Sequence, residues 1–341
     1  MTRTIGCLLI LQVLGTTIAT VLDCSTAVAN EVLSGIAAGK PVVITANTGK
    51  FAGAISSIVW NGKQFIDSYD HGREFQSASN HGILGTPYCN EGYNPTEAGS
   101  RDNGTGPASS SVLKSSSVVG NTLSTESQLA FWLRPGQSNP ESCRAYSTGV
   151  RSEVTLSKKV SLGAFGVSNL IRHHVTFNLP DDIDYTYHQF EALTGYMPAE
   201  FSVFRTWNPE TGALLPLSRG PGEQPLPVIF STPDDQFAMG VFSFNLPQDT
   251  YPTAGFGRFD FPTASSSGPG NGVVKWNAVY RYGTPNSTTV IRKTSYSFTQ
   301  YVAFGTLQDV TDAFSAIPEP SSAGLLMAGG LIVTLRRRLR I

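Results

Sequence analysis

Charge is scarce in this chain. Only 14% of its 341 residues are Asp, Glu, Lys or Arg, and 25 acidic residues nearly cancel 24 basic ones. The basic footprint that phosphate backbones require is missing, which excludes nucleic acid as a partner. Cysteine is scarcer, with four residues and no CxxC. No GxSxG elbow, HExxH, GxxxxGK followed by Ser or Thr, or helix-opening GxGxxG occurs, removing elbow-type esterases, zincins and nucleotide-phosphate cradles. No metal or organic cofactor is expected.

What is present begins with the two ends. Arg3 precedes a largely apolar run, Ile5 to Leu22, and Ala27-Val28-Ala29 supplies a small-x-small cleavage pattern. Residues 1–29 therefore read as a signal peptide. Cys24 follows Asp23, and an acidic residue there is wrong for a lipobox. At the far end, Pro318-Glu319-Pro320 precedes Ala323 to Leu335, thirteen residues without a charge, and then Arg336, Arg337, Arg338 and Arg340. As a helix that stretch reaches about 20 Å, against roughly 30 Å of bilayer hydrocarbon. The arginines set a cytoplasmic end by the positive-inside bias, so everything before Ile317 is expected outside the inner membrane.

This three-part order resembles the PEP-CTERM sorting signal, over residues 317–341, with Ile317 where valine is more usual. The resemblance implies a Gram-negative-type cell, transient inner-membrane contact through the tail, an exosortase-type machinery as partner, and delivery to the outer surface or extracellular matrix. A plain C-terminal anchor is the alternative. Cys89 and Cys143 are the cysteines left between the ends, 54 residues apart. In an oxidising compartment a bridge between them is expected, contributing roughly 4 kcal/mol by loop entropy.

Residues 30–316 read as one all-β domain. They carry 23 acidic and 19 basic residues, and the whole chain has 34 glycines and 21 prolines, a profile of many short strands and turns. Asn61-Gly62 predicts a type I′ hairpin pairing Trp60 with Lys63, and Gly120-Asn121 a second setting Val118 opposite Leu123. Further strands are expected over 204–207 with 213–215, 228–231 with 237–242, 273–280 and 295–304. Gly99 to Ser117 reads as a loop then an edge strand, and Ser265 to Gly272 as a loop. Thr306-Leu-Gln-Asp309 resembles a capping box opening one short helix, expected beside a sheet edge.

Candidate chemistry clusters in a few places. Asp67 to Gln76 holds Asp70, His71, Arg73, Glu74 and Gln76; histidine offers acid or base chemistry and arginine a planar fork for carboxylates or hydroxyls. The bland alternative is a polar loop in which Asp70 or Glu74 pairs with Arg73. Cys89 to Gly99 places Tyr93, Asn94 and Glu97 close together, the mixture of apolar face and directional polar groups that a sugar site needs. Turn chemistry at Asn94-Pro95 is the alternative there. Alternation over 171–179 puts His173 on an apolar face as a core histidine, and His174 with Arg172, Thr176 and Asn178 on a polar one. Asp181, Asp182 and Asp184 match no calcium-loop spacing and read as a solvated loop.

Residues 53–65, 70–76, 169–177 and 302–310 look like the galactose mutarotase-like supersandwich. The resemblance implies a large antiparallel β-sandwich with ligands on a concave sheet face, among epimerases, polysaccharide lyases and sugar-binding accessory domains. The carbohydrate-binding candidates are His71, Arg73, Gln76, Asn94, Glu97 and His174. An epimerase would use His71 or His174 with Glu97; a lyase would use Tyr69, His71, Arg73 and Asn94. The preferred expectation is an exported, sorted protein that binds polysaccharide. Alternatives are a carbohydrate-active enzyme and a structural matrix protein without a small ligand.

Overall fold

The computed structural model describes residues 7–13, 16–22, 30–139, 143–244, 255–262 and 272–318. The signal cleavage pattern, Glu319, Pro320 and the arginine tail lie outside the described residues, as do most of the 265–272 loop and positions 245–254. Within the expected signal peptide, Cys7–Val13 and Thr16–Leu22 pair with each other and with no other strand described.

From Glu31 onward the chain forms antiparallel strands in two layers. One sheet runs Gly222–Gln224, Gly255–Phe261, Val273–Gly283, Tyr185–Pro198, Phe75–Ile83. Through the pairing of Ile55 with Phe75 it continues into Ile55–Trp60, Lys40–Ala46 and Glu31–Ala37. The other sheet runs Leu214–Pro216, Val203–Trp207, Val228–Ser231, Ala238–Phe242, Ser295–Gly305, Leu170–Asn178, Arg151–Leu162, Thr122–Phe131, Val112–Val119. The two-residue strand Pro95–Thr96 hydrogen-bonds to both Phe75–Ile83 and Thr122–Phe131 and stitches the layers together.

The hairpins form where the turn residues dictate. Asn61 and Gly62 both take positive φ, 49° and 78°, as a type I′ turn requires, and Trp60 faces Lys63. Gly120 alone takes positive φ, 58°, in the second hairpin, where Val118 faces Leu123. Among the described strands Val112–Val119 pairs only with Thr122–Phe131 and is an edge strand.

Period-two alternation then builds the core. Ile171, His173, Val175 and Phe177 point inward from one layer, meeting Phe75, Phe190 and Trp276 from the other. Phe177 and Phe190 rings lie 4.9 Å apart, and Phe75 sits edge-on to His173 at 5.6 Å. Each such aromatic contributes about 1.5–3 kcal/mol of burial energy. His173 is fully buried against Gln300, Nδ1 to Oε1 3.2 Å.

The short helix forms at Leu307–Ser315 with the full reciprocal capping box between Thr306 and Asp309. Its position corrects the expectation of a sheet edge. Val310, Ala313 and Phe314 cover the outer face of the second sheet, over Leu170, Ile229, Ala238, Tyr301 and Ala303. Those apolar residues point away from the sandwich interior, so the helix shields a patch of sheet that would otherwise face water.

Candidate functional site

A polar recess of about 290 Å³ lies on the outward face of the first sheet. Phe75–Ile83 contributes Gln76, Ala78 and Asn80; Val273–Gly283 contributes Lys275. On Tyr185–Pro198 the outward residues are Gln189 and Glu191, then Thr194 and Tyr196. The parity changes because the ladder register slips between Glu191 and Leu193. This bulge keeps four polar side chains on one face while Leu193 and Met197 turn inward. Gly195, beside the bulge, leaves room for the Trp276 indole, which a β-carbon there would strike.

The rim is the 89–94 loop, Thr96 and Trp132. Cys89 and Cys143 are joined as a disulfide, Cα atoms 5.9 Å apart. It anchors the loop whose next residues, Asn90 and Glu91, line the recess. The Trp132 amide donates to the Asn94 carbonyl at 3.0 Å. The Trp132 ring lies against Gly72, where a β-carbon would stand 2.8 Å from Cη2. Glycine at 72 therefore lets the indole reach the recess wall.

Electrostatically the recess is nearly self-neutralised. Lys275 Nζ donates to Glu191 Oε2 at 2.8 Å, and Thr194 Oγ1 to the same oxygen at 2.7 Å. Burial works to raise the Glu191 pKa, yet Lys275 and Thr194 outweigh it and hold the carboxyl below its ordinary value. Burial likewise opposes the Lys275 charge, but Glu191 and Tyr196 raise its pKa. The ammonium rests over the Tyr196 and Phe259 rings at 5.3 and 5.2 Å. Gln76 is fixed from behind: it accepts from the Ala98 amide at 3.0 Å and donates to Glu74 Oε2 at 3.1 Å. Glu74 is fully buried, and burial raises its pKa well above the usual carboxyl value. Asn94 differs, since its buried Oδ1 has no hydrogen-bond partner among the described residues.

Of the six candidate residues read from sequence, Gln76 and Asn94 line the recess. The other four lie elsewhere. His71 is buried between two backbone carbonyls, Nδ1 to Gly104 O 2.7 Å and Nε2 to Lys50 O 2.8 Å. Arg73 is buried and paired with Asp70 at 3.3 Å, the bland alternative, with Asp67 at 3.8 Å. Glu97 is fully buried in an ion pair with Lys158 and accepts from the Ser77 amide at 3.0 Å. His174 faces a separate depression on the outer face of the second sheet, Nδ1 2.8 Å from Thr299 Oγ1. Among the described residues no histidine lines the recess. Asp184 pairs with Arg292 at 2.8 Å.

Sequence reading missed Trp132, Gln189, Glu191 and Lys275. Asn80 and Gln189 carried a usable signal, being polar residues at alternating positions of inward-aromatic strands. The bulge broke that pattern for Thr194 and Tyr196. The Glu191–Lys275 pair joins residues 84 apart and had no local signal.

No protein-family model matches the chain, and no curated protein matches it. Solved structures similar to it include HI1317, at 10% identity and TM-score 0.35, covering 87% of this chain and 99% of that one. Another is the GH36 α-galactosidase AgaB from Geobacillus stearothermophilus, at 8% identity and TM-score 0.38, covering 80% of this chain and 40% of that one. A third is the α-galactosidase from Lactobacillus brevis, at 7% identity and TM-score 0.32, covering 81% and 40%.

Proposed function

We propose that this chain is an exported, surface-directed β-sandwich protein that binds carbohydrate in the recess beside Trp132. The observation that carries the reading is the composition of the recess. An aromatic face at Trp132 stands among the amides of Gln76, Asn80, Asn90, Asn94 and Gln189, and Asn94 Oδ1 is an acceptor without a partner among the described residues. Sugars ask for this combination, because C–H faces stack on aromatic rings while hydroxyls both donate and accept. An epimerase or lyase has less support, since His71 and Glu97 spend their polar atoms on structural contacts.

Export rests on the sequence: the Ala27-Val28-Ala29 pattern, and Pro318-Glu319-Pro320 ahead of the short apolar stretch and Arg336, Arg337 and Arg338. The Cys89–Cys143 bridge supports an oxidising destination. Sorting by an exosortase-type system and residence at the outer surface or matrix follow as parts of the same proposal. Intact-mass analysis of the chain from an exosortase-bearing cell checks it: loss of the segment after Pro318 is expected, and a retained arginine tail refutes sorting.

Glycan-array screening followed by calorimetry tests the binding. Trp132→Ala, with folding checked by circular dichroism, is expected to weaken binding of any hit by about tenfold or more, or ~1.4 kcal/mol. A silent array, or a variant that binds as well as the parent, refutes the recess.

A further inference from the structure

A second hollow of about 330 Å³ adjoins the recess and shares Asn90 and Gln189 with it. Its walls are Tyr88 and Tyr187, edge-on at 4.8 Å, with Arg281 and Glu223. Arg281 Nε donates to Gln189 Oε1 at 2.8 Å, so one side chain belongs to the first hollow and to the wall of the second. The two hollows are consecutive stretches of one trough along the sheet, each with its own aromatic surface. Each alone is at the small end of the roughly 300–1,000 Å³ typical of ligand pockets.

The cations in this trough are engaged. Lys275 is paired with Glu191, and Arg281 is bidentate to Glu223 at 2.8 and 2.7 Å. Glu91 adds a third carboxylate against two cations. A uronate carboxylate entering here would have to break one of these part-buried pairs to find a cation, stranding a carboxylate and placing a new anion beside it. Neutral hydroxyls meet no such obstacle.

Resting on the carbohydrate reading above, we infer that the trough takes a neutral oligosaccharide over two subsites, in preference to a uronate polymer or a single sugar. The first subsite is bounded by Trp132 and Asn94. The second is bounded by the tyrosine pair, with the exposed Asn90 at the joint.

Calorimetry on the full chain tests this, with cello-, malto-, manno- and xylo-hexaose, their monosaccharides, and tri-galacturonate and tri-mannuronate as probes. At least one neutral hexaose is expected to bind. Its monosaccharide should be weaker by about tenfold or more, and the uronate trimers should give no saturable heat. Asn90→Trp, which fills the joint, should weaken the hexaose by about tenfold with an unchanged circular dichroism spectrum. A uronate trimer that binds as tightly as any hexaose overturns the inference while leaving carbohydrate binding standing. So does a monosaccharide that matches its hexaose, or an Asn90→Trp variant with parental affinity. Silence across the whole panel overturns the inference and the carbohydrate reading together.

Discussion

Replacing Lys158 by methionine separates a structural from a functional role for Glu97. Lys158 projects inward from Arg151–Leu162, is 1% exposed, and donates to Glu97 and, at 2.9 Å, to the Gly53 carbonyl. Methionine keeps most of the stem volume but leaves the Glu97 carboxylate, 0% exposed, with the Ser77 amide as its remaining hydrogen-bond donor. Removing one partner of a buried ion pair costs about 3–5 kcal/mol, because the survivor keeps its desolvation penalty. The double variant Lys158→Met with Glu97→Gln removes both charges, while the carboxamide oxygen introduced at position 97 can still accept from the Ser77 amide. It should lie about 2 kcal/mol or less below the parent, giving a favourable coupling in a double-mutant cycle. Urea denaturation of the four proteins, read by tryptophan fluorescence, supplies the numbers. The reasoning fails if Lys158→Met loses less than about 1 kcal/mol. It also fails if Glu97→Gln abolishes glycan binding at parental stability, since that would return Glu97 to a binding site.

Three further outcomes are expected. Cys89→Ser should lower stability by roughly 4 kcal/mol through the 54-residue loop it opens, and an unchanged denaturation midpoint would contradict this. Gly195→Ala should cost about 1–3 kcal/mol by overpacking against the Trp276 indole, seen as a lower midpoint together with altered tryptophan emission. Burial holds the His173 and His188 pKa values at about 3 and that of His81 well below normal. Their folded forms are neutral, while the unfolded chain takes up protons below its ordinary histidine pKa of about 6.5. Their contribution is therefore fully present above about pH 6.5 and is lost as pH falls towards the folded values, by ~1.4 kcal/mol per pH unit for each histidine. Denaturation free energies measured between pH 6.5 and 4.5 check this, and a flat profile over that range is the contrary result.

Local features were legible because local physics fixes them. Asn61 and Gly62 set the first turn and Gly120 the second through positive φ, and Thr306 with Asp309 capped the helix through two reciprocal bonds. Alternation over 171–179 assigned His173 to the core and His174 to the polar face. The polar cluster at 67–76 and the stretch at 89–99 were also visible, but only Gln76 and Asn94 among their candidates reach the recess. Composition cannot tell a polar residue that faces a ligand from one that satisfies the backbone. His71 and Glu97 carry site-like chemistry and spend it on carbonyls, an amide and Lys158.

By itself the sequence determined the strand-rich class, the two hairpins and the capped helix. These depend on residues within a few positions of one another. Tertiary structure alone decided which polar residues share a surface. The bulge between Glu191 and Leu193 reversed the parity of a strand, and Gly72 admitted Trp132 from a distant part of the chain. Sheet pairing brought Lys275 to Glu191 and Arg281 to Gln189. Each of these contacts is set by register and packing between distant strands, for which a linear pattern holds no distance information.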